Sequence, residues 1–131
     1  MKKILVFTAT ILMLAACQES LEQRAQRTLK EYSDKNCPQQ ITETIILDSC
    51  AFETDTQTLH YYYTFMGPMD NDSIATKGEA MRSLLLESVK NDPTTRIYKE
   101  AGYSFKYTYF SQKHRNMLRF ETIITAKDYQ N

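Results

Sequence analysis

The chain has 131 residues, with 16 basic and 16 acidic side chains and no formal net charge. That length holds one domain with one ordinary core. The balanced charge argues against a nucleic-acid partner and against a surface made to grip anionic lipid. Three glycines and three prolines leave no room for low-complexity linkers. Nine tyrosines favour pleated, half-buried strands.

The chain opens Met1-Lys2-Lys3 and continues with the uncharged run 4–16, "ILVFTATILMLAA". This run is shorter than the roughly 20 apolar residues that cross a bilayer. A positive start, a short apolar stretch and small residues before position 17 read as a secretory signal. The run ends Leu14-Ala15-Ala16-Cys17, which resembles the lipobox of bacterial lipoproteins. The resemblance implies cleavage of residues 1–16 and a diacylglycerol thioether on Cys17, with acylation of the new amino group. Several acyl chains make a stable anchor where one does not. Gln18, under the sorting rule of enteric-type bacteria, implies the periplasmic face of the outer membrane. Loss of Lys2 and Lys3 leaves the mature chain slightly acidic.

Residues 19–33 are expected to form a helix with the narrow stripe Leu21, Ala25, Thr28-Leu29 and Tyr32. Residues 17–36 are thus read as lipidated Cys and N-terminal helix or tether, and 37–131 as a single domain. "SDKNCP" is expected to end the helix. Cys37 and Cys50 form an even pair in an oxidising compartment, which predicts a disulfide contributing ~3 kcal/mol. One straight strand would hold the two sulfurs ~40 Å apart. The bond therefore demands a bend, at Gln39-Gln40 or at Thr42-Glu43. Two buried thiols or an intermolecular bridge are the alternatives.

The stretch 41–52 predicts a strand with imperfect alternation. In one straight phase, Ile45, Leu47 and Ala51 share a face opposite Ile46, Cys50 and Phe52. The stretch 59–66 alternates better, with Leu59, Tyr61, Tyr63 and Phe65 opposite His60, Tyr62, Thr64 and Met66. A helix is expected over 73–91, capped by Asp72, with Ile74, Met81, Leu84-Leu85 and Val89 inward. Asp92-Pro93 starts a second short helix that Gly102 ends. The segment 103–110 is the clearest strand, with Tyr103, Phe105, Tyr107 and Tyr109 on one face. The segment 117–125 is its hairpin partner, and "AKDYQN" shows no core of its own. This order predicts an α+β fold, a four-stranded antiparallel sheet of two hairpins with helices on one face. "DPTTRIYKEAGYSFKYTYF" and "FETIITAKDY" resemble the C-terminal half of small uncharacterised bacterial exported proteins. That resemblance implies no activity.

Chemistry is thin. His60 and His114 lack partners at metal-ligand spacing, and "DNDS" at 70–73 departs from a calcium loop at Ile74 and Ala75, which favours helix capping. Asp48, His60 and Glu121 could meet in a site, but no spacing selects them. No nucleophile or phosphate-loop motif occurs, so the expectation is a protein without catalysis, metal or cofactor. Tyr61, Tyr63, Tyr103, Tyr107 and Tyr109 form the candidate binding face, with a plain core beneath helices as the alternative. Tyr62, Met66, Phe110, Met117 and Ile123 are a second, apolar patch. The leading expectation is a lipid-anchored envelope protein that binds another protein, as assembly accessory, inhibitor or immunity-type protein. The other is a binder of small molecules or envelope fragments at the tyrosine face.

Overall fold

The computed structural model describes residues 18–131; the expected signal segment 1–16 and the expected lipid site Cys17 lie outside them. Helix α1 (Leu21–Asn36) opens on a capping box, in which Ser20 and Gln23 each bond the other's backbone N–H and so satisfy two orphan helix donors. Its inward stripe is Ala25 and Leu29, both buried. The helix runs three residues past the expected 33 and closes at Cys37, within the "SDKNCP" expected to end it, where the Cys37 N–H bonds the Ser33 carbonyl.

Five strands form one sheet in the order β1-β2-β3-β4-β5: β1 (Gln39–Thr42), β2 (Ile45–Glu53), β3 (Thr58–Phe65), β4 (Ser104–Ser111) and β5 (Leu118–Ile124). The two expected hairpins, β2–β3 and β4–β5, are both present. The sheet is nevertheless mixed rather than antiparallel, because β3 and β4 pair in parallel. The chain between them is a long crossover, which returns to the edge where β3 began and so makes the next strand run the same way. The fifth strand is β1, split from β2 by a turn at 43–44; its Ile41-Thr42 were expected as the start of the 41–52 strand, and its Gln39-Gln40 as a candidate bend.

β2 also corrects the expected faces. A register shift between Leu47 and Ser49 inserts one residue, and the alternation changes phase there. Cys50 and Phe52 therefore join Ile45 and Leu47 on the helix side, opposite Tyr61 and Leu59. Ala51 is turned to the outer face, where it is exposed.

The crossover holds a 3-10 turn at Gly67–Met69, a second at Asp72–Lys77, helix α2 (Gly78–Asn91), a 3-10 turn at Pro93–Thr95 and helix α3 (Arg96–Glu100). Ile74 is buried in the 3-10 segment, so it does not set the phase of α2. Met81, Leu85, Leu86 and Val89 pack inward, while Leu84, expected inward, is 73% exposed. Lys99 donates to the carbonyls of Val89, Lys90 and Asp92 at 2.6–3.2 Å, a cation where the helix dipole ends. Gly102 ends α3 at φ +79°, a conformation that favours glycine. The tail is not coreless: α4 (Ala126–Tyr129) is capped by Thr125 and Asp128. The Tyr129 hydroxyl donates to the carbonyls of Tyr103 and Lys99.

The core lies between the sheet and these helices. Leu59, Phe65 and Ile124 are fully buried there and Phe105 is 1% exposed. The outer face of the sheet keeps Leu118 and Ile123 about half exposed, at 50% and 43%.

Candidate functional site

The parallel pairing of β3 and β4 sets Tyr61 opposite Tyr107 and Tyr63 opposite Tyr109. Their rings form a ladder. Centroids lie 5.4 Å apart for Tyr61–Tyr107, 6.4 Å for Tyr107–Tyr63, 4.6 Å for Tyr63–Tyr109 and 4.6 Å for Tyr109–Phe65, all within 23° of parallel. Such contacts add to the area buried. The ring faces are thus spent on one another.

Two adjoining hollows lie over this ladder. The larger, about 600 Å³, opens between α1 and the 94–98 segment; Arg24, Thr28 and Tyr32 form one wall and Ile97 and Tyr98 the other. The smaller, about 180 Å³, lies under α2, between Leu85 and Val89 and the sheet. Tyr61, Tyr63, Asp92 and Thr95 line both. Tyr107 lines the smaller. Tyr103 is packed against Phe52 and Tyr98, and Tyr109 against Phe65 and Phe120. The five expected tyrosines therefore divide into three at the cleft and two in the core. Asp92 and Thr95 were missed because the sequence marks them only as a helix start.

No buried side-chain oxygen or nitrogen among the described residues lacks a partner. The hydroxyls of Tyr61, Tyr63 and Tyr107, which bond no described protein group, therefore open into the cleft. Burial raises all three above the ordinary tyrosine range, and pushes Tyr109 up to about 12. They stay protonated and can donate or accept. The cleft offers the Tyr61, Tyr63 and Tyr107 hydroxyl tips, the Asp92 carboxylate and the Arg24 side chain among apolar groups such as Leu47, Leu59 and Ile97.

Cys37 and Cys50 are both free thiols, a correction to the expected disulfide. The chain does bend at 43–44, but the Cys50 Sγ is turned under α1, 3.4 Å from the Leu29 carbonyl. Ser33 stands between the two cysteines, its hydroxyl accepting from the Cys50 N–H and its carbonyl from the Cys37 N–H. Burial raises both thiols, Cys50 to about 11, so neither is a ready thiolate.

On the outer face, His60 is 5% exposed and stacks on Tyr62 at 4.0 Å. Its Nδ1 lies 2.6 Å from Glu53 and its Nε2 2.7 Å from the Thr108 hydroxyl, which in turn donates to Glu121 at 2.7 Å. His60 and Glu121 do meet, through Thr108, while Asp48 accepts from Thr64 instead. The order hydroxyl, imidazole, carboxylate is that of a nucleophile and its base. Here the hydroxyl is given to Glu121, Thr108 is 3% exposed, and neither tyrosine hollow reaches it. The chain ties β2, β3, β4 and β5 together.

"DNDS" holds the crossover to β5. Asn71, not Asp72, caps the 3-10 segment. Asp70 and Asp72 both grip Arg119, at 2.9 and 2.6 Å. No group of metal-ligating side chains occurs among the described residues.

The family model "Domain of unknown function (DUF8479)" matches residues 20–119, and the chain belongs to that family. No curated protein matches the sequence. A Pseudomonas aeruginosa protein described as secreted has a similar structure, with TM-score 0.67 and 17% identity, covering 86% of this chain and 99% of its own. A pilotin of the Vibrio vulnificus type 2 secretion system follows at TM-score 0.59 and 16% identity, over 85% and 93%. The type II secretion system pilotin AspS of Vibrio cholerae has TM-score 0.59 and 14% identity, over 88% and 97%. At these identities the likeness is one of fold.

Proposed function

We propose that this member of the DUF8479 family is a lipid-anchored protein of the bacterial envelope that binds another protein and catalyses nothing. In this reading Cys17 carries the lipid, the domain stands on the periplasmic face of the outer membrane, and the partner enters the cleft between α1 and the 94–98 segment. The observation that carries it is that cleft, which sets apolar side chains such as Leu47, Leu59 and Ile97 beside Arg24 and Asp92, with the Tyr61 and Tyr63 tips at its floor. The fold it shares with two secretion-system pilotins supports an accessory role in envelope assembly over an inhibitor or immunity role.

The test is cross-linking in cells followed by affinity purification of the full-length protein, beside a Cys17→Ser control. One partner enriched with the lipidated form only is the expected result. Self-cross-links alone, or none, would remove the reading. A second reading, a binder of small molecules or envelope fragments, is favoured by the smaller hollow, whose Tyr107 and Thr95 hydroxyls suit a polar ligand.

A further inference from the structure

We infer that the lipidated protein stands on one end, with the rim formed by the start of α1, the 54–57 turn and the start of β4 held against the bilayer. The inference rests on the lipid anchor proposed above. Its own ground is how little chain separates Cys17 from the folded domain.

Ser20 caps α1 with a reciprocal pair of bonds at 2.9 and 3.1 Å. Glu19 is drawn back onto the second turn of the helix, where both its oxygens meet Arg27 at 2.6 and 3.2 Å. Gln18 is then the single residue between the lipid site and the fixed chain. Two backbone steps span at most ~7 Å. A long flexible tether would leave even that distance open; this one keeps the start of α1 within it.

The start of α1 is fastened in turn to one end of the sheet. Gln57 donates to Glu22 at 2.8 Å, and the Gln57 carbonyl accepts from the Ser104 N–H at 3.0 Å. Register places Glu53, Thr58 and Ser104 in one row there. Ser111 lies at the other end of the eight-residue β4, ~25 Å away at the usual strand rise. Bringing the 112–117 turn to the bilayer with the anchored end lifted would need a tether of that length.

Charge does not draw the rim into the headgroups. It bears Glu22, Glu53 and Asp55 against Arg24, whereas Lys113 and Arg115 lie at the far end. Upright, those two stand well beyond the ~8 Å screening length of physiological salt. The lipid alone holds the domain. The larger hollow runs along α1 from Arg24 to Tyr32, so it starts little more than one turn past Glu19, near the membrane end.

The test uses lipidated full-length protein in small nanodiscs of phosphatidylethanolamine and phosphatidylglycerol carrying a gadolinium-chelating lipid, read by amide NMR against the same discs carrying the diamagnetic lutetium chelate. Signals of 18–22, 54–57 and 103–104 should be lost, and those of 112–117 retained. A flexible Gly-Ser insertion between Gln18 and Glu19 should abolish that contrast. Broadening equal at both ends, stronger at 112–117, or unchanged by the insertion overturns the inference while leaving the anchor in place. If the protein fails to float with vesicles, just as Cys17→Ser does, the anchor and the inference fall together.

Discussion

Tyr61 and Tyr107 stand opposite one another across the parallel β3–β4 junction, their rings stacked at 5.4 Å. The stack has a consequence for recognition. A ligand in the cleft meets Tyr63 and Tyr107 by their edges and hydroxyls, because both faces of each are taken by ladder neighbours, so at these two residues hydrogen bonding rather than stacking sets its chemistry. Tyr107→Phe keeps the ladder and should change stability by less than about 1 kcal/mol. Tyr107→Ala should cost about 3–5 kcal/mol. Urea unfolding of both variants separates the two contributions.

Asp70 and Arg119 form a buried pair, with side chains 0% and 6% exposed. Burial opposes the ionised Asp70, but the Lys113 N–H, the Ser111 hydroxyl and Arg119 outweigh it and bring its pKa from 3.8 to about 2. A depressed carboxylate stabilises the fold above its unfolded value and stops doing so as pH falls through the folded value. This contribution is complete above about pH 4 and fades towards pH 2. Asp70→Asn should cost about 2–4 kcal/mol at neutral pH and flatten the acid limb of stability against pH. Thermal unfolding between those pH values checks it.

Thr108 joins His60 to Glu121. Thr108→Val keeps the shape and removes the hydroxyl, leaving a histidine nitrogen and a carboxylate oxygen each short of a partner. The expected cost is about 1–3 kcal/mol, with no loss of partner capture, since this chain lies on the face opposite the cleft. Reduced capture at unchanged stability would assign His60 a functional role.

Cys50 is 5% exposed beneath α1, and its raised pKa leaves little thiolate. Protein purified from the periplasm without reductant should show both Cys37 and Cys50 alkylated once it is denatured. Cys50 should resist the same reagent while folded. A mass two hydrogen atoms lighter, restored by reductant, would show that the pair is oxidised.

Much of the fold was legible because β3 and β4 alternate strictly, which placed Tyr61, Tyr63, Tyr107 and Tyr109 on the helix side in advance. β2 was misread because a single inserted residue near Asp48 changes its phase, and no residue type there announces a bulge. The parallel join of β3 and β4 was hidden since strand direction depends on the path of the crossover, not on strand composition. Helix α4 was missed because its hold on the domain is the Arg82–Asp128 ion pair, the Tyr129 ring on Phe105 and the Tyr129 hydroxyl on two backbone carbonyls, contacts with no periodic signature. The cleft was legible as tyrosines and invisible as a shape, because Asp92, Thr95 and the α1 wall are brought to it only by packing.

The most direct test of the central claim is site-specific photo-cross-linking in cells, with a benzophenone residue replacing Thr28 or Thr94 on the two walls of the larger hollow, beside Lys113 at the far end. The account predicts one discrete protein adduct from both wall positions, absent from Lys113 and lost with Cys17→Ser. Adducts from Lys113 but from neither wall would contradict it.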